Sequence, residues 1–283
     1  MKATIGVLAD TAVSKVTLLK TSKSRYLTTT MMAGFFVGLG VILMTTIGGL
    51  LEPANFAGTK VITGIAFGIA LSLVLMAGAD LFTGNNMIMP IGALTKKTTW
   101  YDTIQIWTAS YVGNLFGSLL IAVMFFYSGM ASGGTADFIV ATASAKMNAP
   151  FMELLMRGIF CNILVCLAVW CTYKLKNEAA KLIMIYGCIS AFITSGFEHS
   201  VANMTMLTLS LMVPHPETVT FAGMIANLVP VTIGNAIGGA VFVGAAYWFL
   251  SSEKQVQAVG SQATTKKEQK PSATNKLGEL QNQ

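Results

Sequence analysis

The chain has 283 residues, 54% of them hydrophobic and only 11% charged, with a mean hydropathy of +0.65. A water-soluble domain carries about 25% charged residues, so this composition excludes an ordinary soluble fold and makes the bilayer the better solvent. The formal net charge of +6 does not mark a nucleic-acid partner, because the lysines gather at the chain ends without a basic stripe or an aromatic platform.

Residues 1–25 carry Lys2, Lys15, Lys20, Lys23 and Arg25 and are expected to form a cytoplasmic N-terminal segment. It has no cleavable signal pattern, since the first long apolar run starts too late and is too long. Six charge-poor stretches follow, each sized against the ~20 apolar residues a helix needs to cross the hydrocarbon core. The first is 26–51. The second, 61–79, meets Asp80 and runs on to 95. The third begins at 103 and ends near 128–129, and the fourth covers 150–173. The fifth, 182–197, meets Glu198 and continues to 213; the sixth is 218–252. The runs are continuous rather than alternating, which excludes a β-barrel. Residues 253–283, rich in Gln, Lys, Ser and Thr, are expected to be a disordered tail.

Six spans return both termini to one side. The termini and the loops around Lys96–Lys97 and 174–181 are basic, whereas the opposite loops carry Glu52, Asp137, His215 and Glu217, with Lys60 and Lys146 as exceptions. The lysine bias makes the basic side cytoplasmic.

The second and fifth spans share an anomaly: each is too long for one crossing and is interrupted by an acid. One interruption reads Gly78-Ala79-Asp80-Leu81-Phe82-Thr83-Gly84-Asn85-Asn86, the other Thr194-Ser195-Gly196-Phe197-Glu198-His199-Ser200-Val201-Ala202-Asn203. Unwound backbone inside a bilayer survives only where protein or a cavity satisfies it, and glycines, short polar side chains and a carboxylate suit that task. Gly113-Asn114-Leu115-Phe116-Gly117 in the third span recurs as Gly234-Asn235-Ala236-Ile237-Gly238 in the sixth, and Gly34 and Gly158 open similar stretches in the first and fourth. Such short patterns also match by chance among apolar helices; three matches in one order favour a repeat. A repeat with an odd number of spans inserts its second copy upside down. The predicted architecture is therefore an all-α integral membrane protein, with six transmembrane helices in two inverted three-helix repeats (about 26–129 and 150–252) and helices 2 and 5 broken. Broken helices in equivalent positions point to the substrate site.

His199 is one of two histidines, and an ionisable group at mid-depth suggests function by default. The bland alternative is a structural histidine bonded to nearby backbone. His215, between Pro214 and Pro216, reads as a loop residue. Helix N-termini starting at mid-depth favour negative charge. His199 can add a hydrogen bond or, when protonated, a positive charge, and Thr83 from the other break can bond the opposite ring nitrogen. A free carboxylate facing an anion path would repel it. Glu198 is therefore expected to point into the protein, capping freed N–H groups or bonding Asn162, and Asp80 likewise. Phe67, Leu71, Leu81, Val165 and Phe192 are candidates for narrow apolar rings, which gate by excluding water. Cys161, Cys166, Cys171 and Cys188 lack metal or redox spacing and read as packing residues. No cofactor or metal is expected.

Four stretches resemble signatures of the formate/nitrite transporter family: Ala79-Asp80-Leu81-Phe82-Thr83-Gly84-Asn85, residues 161–170 from Cys161-Asn162 to Val169-Trp170, Gly196-Phe197-Glu198-His199-Ser200-Val201-Ala202-Asn203-Met204, and Thr232-Ile233-Gly234-Asn235-Ala236-Ile237-Gly238-Gly239. The resemblance implies an aquaporin-like protomer in a homopentamer of a bacterial inner membrane, with one pore per protomer. It implies His199 as the central pore residue with Thr83 beside it, Glu198, Asn162 and Asn203 as supporting residues, and the five apolar candidates near constrictions. It also implies that Lys146, on an outside loop, draws anions into the vestibule. The short loop after Leu211 and the run from Glu198 to Thr205 tilt the resemblance towards the nitrite branch, as does Gly84 where the formate branch commonly has serine. Nitrite or formate is the expected substrate. Alternatives are a hydrosulfide or lactate-type anion and, further off, a neutral-solute channel for water or ammonia, although the paired Asn-Pro-Ala motifs of water channels are absent. An intramembrane enzyme is disfavoured, because Glu198-His199 has no His-Glu-x-x-His spacing.

Overall fold

A computed structural model describes residues 1–252; the expected tail lies outside the described residues. Within them the chain is all helical: α1 (Lys2–Thr21), α2 (Lys23–Leu51), α3 (Thr59–Met76), α4 (Phe82–Leu94), α5 (Trp100–Tyr127), α6 (Gly133–Met147), α7 (Phe151–Lys174), α8 (Glu178–Thr194), α9 (Ser200–Met212), α10 (Phe221–Ile237) and α11 (Ala246–Ser252), with a π-helical stretch Gly238–Ala245 joining the last two. In lipid a backbone must satisfy its own polar groups, and continuous apolar runs with few prolines meet that demand as helices. Five stretches are long and apolar enough to cross a membrane: Lys23–Ala54, Thr59–Met76, Trp100–Tyr127, Phe151–Lys174 and Phe221–Ser251. α8 has 17 residues and carries Glu178 and Lys181, and α9 has 13; each falls short alone.

Close packing runs through glycines. At Gly34 an added Cβ would collide with the Asn114 carbonyl of α5, and at Gly117 with the Met31 carbonyl of α2. Gly234 and Gly238 likewise abut the Leu155 and Ile159 carbonyls of α7. The two Gly-Asn-x-x-Gly motifs thus do the same job, letting α5 approach α2 and α10 approach α7 backbone to backbone.

Two elements go beyond the sequence reading. Residues 2–21 form a helix that buries Ile5, Leu8, Ala9, Ala12 and Val16 against Met87, Ile88, Ile91 and neighbouring side chains. The stretch bearing Lys146, expected as an outside loop, is helix α6. Its 15 residues bury Ile139, Ala143 and Met147 against the main core, and at about 1.5 Å per residue it is too short to span.

Candidate functional site

Both predicted interruptions are present and are built alike. α3 ends at Met76 and α4 begins at Phe82; α8 ends at Thr194 and α9 begins at Ser200. Gly78 (φ +79°) and Gly196 (φ +73°) hold matching left-handed positions after each first half, a conformation that costs a residue with a Cβ and lets the turn close. Ala79 N–H donates to the Val74 carbonyl at 2.8 Å and Phe197 N–H to that of Phe192 at 3.0 Å. The acids then tie back to a neighbouring span: Asp80 N–H donates to the Thr29 carbonyl, Glu198 N–H to that of Arg157.

An asparagine clamps each break. Asn114 Oδ1 accepts the Phe82 N–H at 2.8 Å, and its amide donates to the carbonyls of Thr30 and Asp80. Asn235 Oδ1 accepts the Ser200 N–H at 2.9 Å, and its amide donates to the carbonyls of Gly158 and Glu198. These asparagines are the second residues of the two glycine motifs. The sequence echo foretold their equivalence but not their work.

Both carboxylates are buried, but Glu198 does not meet Asn162, and it caps no backbone. Lys146 Nζ donates to both Glu198 oxygens at 2.8 Å, and Asn203 Nδ2 donates to Oε2. Asn162 donates instead to the carbonyls of Thr83 (3.2 Å) and Asn235 (2.6 Å). The chemistry explains the correction: an amide donor suits neutral carbonyls, whereas a carboxylate 3% exposed needs a cation. Asp80 repeats the pattern with Lys15 of α1 and Asn85, and the Tyr26 hydroxyl donates to it at 3.4 Å. Asn203 also donates to Asn227 Oδ1, which the sequence reading did not single out.

His199 is the N-cap residue of α9, and its Nδ1 accepts the Ala202 N–H at 3.1 Å. A nitrogen that accepts carries no proton, so the ring proton sits on Nε2. Nε2 lies 3.0 Å from Thr83 Oγ1; it donates, the hydroxyl accepts, and the Thr83 O–H proton is left for another partner. The Phe192 ring stacks on the imidazole, centroids 6.0 Å apart, and meets Phe67 edge-on at the same separation. At the same point a pinched chamber of about 10 Å³ is lined by Phe67, Leu71, Leu81, Val165 and Phe192 together with His199, and also by Val37, Ala70 and Ile189. All five apolar candidates thus converge on the histidine. The three additional residues were missed because nothing in their apolar runs distinguishes one face from another.

Lys146 lies at the rim of a much larger cavity of about 650 Å³, shared with Glu52, Lys60, Asp137, Arg157 and Glu198. His215 bonds the Val213 carbonyl through Nδ1, in keeping with a loop role. Cys161, Cys166 and Cys188 are buried and all four cysteines are free; the Cys166 thiol donates to the Thr83 carbonyl at 3.4 Å. Among the described residues no group of three or more His, Cys, Asp or Glu is placed to hold a metal ion.

This geometry has close relatives. The family model described as formate/nitrite transporter matches residues 2–249. The nitrite transporter NirC of Escherichia coli strain K12 is 43% identical over 77% of this chain and 80% of its own length, and the formate channel FocA of the same strain is 33% identical over 81% and 86%. An uncharacterized transporter of Bacillus subtilis, YwcJ, is 37% identical over 86% of this chain and 95% of its own. A solved structure described as an FNT family ion channel superposes with a TM-score of 0.84 at 37% identity, covering 88% of this chain and 99% of the other. A pentameric formate channel with formate bound gives 0.71 at 28% identity, covering 82% and 98%. A multi-pass helical membrane protein with paired helix breaks and these relatives belongs to the formate/nitrite transporter family, a family of small-anion transporters and channels rather than enzymes.

Proposed function

We propose that this protein conducts small monovalent anions, nitrite ahead of formate, through a pore in each protomer that narrows at His199 and Thr83. The observation that carries the reading is the convergence of both helix breaks on one apolar chamber whose polar side chain is a histidine of fixed tautomer. Because Nε2–H is spent on Thr83, the donor offered to a passing oxygen is the Thr83 hydroxyl, polarised by the ring behind it. At the start of α4, the Thr83 and Gly84 N–H groups have no acceptor among the described residues, and such groups favour negative charge. A second proton on Nδ1 would confront the Ala202 N–H, so a charged ring requires that cap to open. The apolar walls (Phe67, Leu71, Leu81, Val165 and Phe192) exclude hydrated ions and admit an anion only as it sheds water.

The wider frame of this reading is an aquaporin-like protomer of six crossings, with α3–α4 and α8–α9 each serving as one interrupted crossing, arranged as two inverted repeats. The matched turns, clamps and acids support it. The lysine bias supports both termini on the cytoplasmic face of a bacterial inner membrane, and the pentameric relative supports a homopentamer. The higher identity to the nitrite transporter than to the formate channel, 43% against 33%, supports nitrite. Asp80, Asn162, Asn203 and Glu198 hold the scaffold; Lys146, which lines the large cavity with Lys60 and Arg157, draws anions inward.

Proteoliposome flux tests the reading. Nitrite and formate should enter faster than into empty liposomes, nitrite the more readily, and His199→Phe should change both rate and pH profile. Uptake equal to that of empty liposomes ends the anion reading, and a His199→Phe profile superimposable on wild type ends the role of the ring.

A further inference from the structure

Close to Thr83 in the fold, two asparagine amides are buried with polar atoms that no described residue satisfies. Asn86 of α4 is fully buried, and neither its Nδ2 nor its Oδ1 has a hydrogen-bond partner among the described residues. Asn162 of α7, equally buried, spends its amide protons on the Thr83 and Asn235 carbonyls and leaves Oδ1 unpaired. Both side chains pack closely against Gly239. A Cβ added at Gly239 would stand 2.7 Å from Asn86 Cβ and 2.8 Å from Asn162 Nδ2. Two backbone irregularities meet there as well. Pro90 lies within α4, so the Asn86 carbonyl lacks the N–H that a regular helix supplies from four residues on. Gly239 belongs to the π-helical stretch Gly238–Ala245, a form that concentrates at functional positions.

We propose that Asn86 and Asn162 bind one ordered water molecule beside Gly239. The partners on offer are complementary: Asn86 Nδ2 donates to the water, and the water donates to Asn162 Oδ1 and to an Asn86 oxygen. Three hydrogen bonds are what a buried water ordinarily makes to groups left over by the protein. The ligand is water rather than an ion because the site offers neutral amides and carbonyls, and the nearby carboxylates Asp80 and Glu198 are already matched by Lys15 and Lys146. Its contribution is to complete the hydrogen bonding of Asn162, the residue that holds the Thr83 carbonyl. The site stands whatever the pore carries.

The test is a structure of the full-length protein in lipid nanodiscs, at a resolution where ordered water is visible, with no substrate added. One peak within hydrogen-bonding distance of both the Asn86 side chain and Asn162 Oδ1 is expected. An empty site, or the two amides turned to bond one another directly, overturns the proposal. Asn86→Leu provides a second readout. With a bound water, the substitution strands Asn162 Oδ1 and lowers the melting midpoint by a few degrees. Without one, it removes two orphaned polar atoms and leaves the midpoint at or above wild type, which again overturns the proposal. The wild-type map decides the matter even where the variant does not fold.

Discussion

The two helix breaks share one plan and differ in the chemistry of their N-cap residue. Each has a left-handed glycine (Gly78, Gly196), an inward acid met by a lysine from the helix that precedes its set of spans (Asp80 with Lys15 of α1, Glu198 with Lys146 of α6) and a clamping asparagine (Asn114, Asn235). Between acid and second half stands the N-cap residue, which is Leu81 in one break and His199 in the other. Leu81 offers no side-chain acceptor, so the start of α4 keeps the Thr83 and Gly84 N–H groups open among the described residues; His199 closes that of Ala202 at the start of α9 and turns its other nitrogen to Thr83. Everything that holds the breaks open is duplicated. What gives the chamber its chemistry is not, and that separates scaffold from function residue by residue.

The comparison breaks first at the clamps. Asn114→Leu and Asn235→Leu each strand one N–H and two carbonyls in the membrane interior, at about 1–3 kcal/mol per stranded group. Both variants should fail to assemble or melt far below wild type in detergent. If one clamp tolerates the change, the two breaks are not structural equals. Next come the lysines. Asp80 and Glu198 are 7% and 3% exposed, and removing one partner of a buried pair costs about 3–5 kcal/mol. Lys15→Met and Lys146→Met should each lower the melting midpoint, and Lys146→Met with Glu198→Gln should recover much of the loss. A double variant no better than the single one would show that the charge pair is not what holds the break.

Much of this plan was legible in the sequence, and the limits have physical causes. The breaks were visible because glycine, acid and asparagine are anomalous inside apolar runs, and His199 because ionisable groups at depth are rare. The glycine motifs pointed to equivalent helices because backbone approach demands glycine whatever the neighbour is. Partnerships were harder to read. Glu198 finds Lys146 and Asn162 finds the Thr83 carbonyl through helix packing, and periodicity carries no information on register between distant helices. α6 was hidden for another reason: at 15 residues of mixed polarity it resembles neither a span nor a turn. Residues 2–21 stood out in the sequence by their lysines, and only the packed structure gives Ile5, Leu8, Ala9, Ala12 and Val16 a surface to bury against.

The N-cap positions sharpen the comparison further. His199→Leu makes the second break resemble the first. Losing an N-cap side chain costs about 0.5–2 kcal/mol, less than the clamps or the lysines, so the variant should fold. Its anion flux should fall and its pH profile should change. Leu81→His in the same background places an imidazole on the opposite break. It should not restore flux, because that ring has no Thr83 beyond it.

The finest prediction concerns Thr83. The histidine tautomer makes its hydroxyl an acceptor from Nε2–H and frees its own proton for the substrate, so the hydroxyl matters and the methyl does not. Thr83→Ser should stay close to wild type in flux. Thr83→Val keeps the shape, removes the donor and leaves Nε2–H without its acceptor. One hydrogen bond of about 0.5–1.5 kcal/mol corresponds to a fall of roughly two- to tenfold when it is made in the rate-limiting passage. Stopped-flow uptake in proteoliposomes resolves such a difference. Should Thr83→Val match Thr83→Ser, the threonine only fills space, and the imidazole acts on the anion directly.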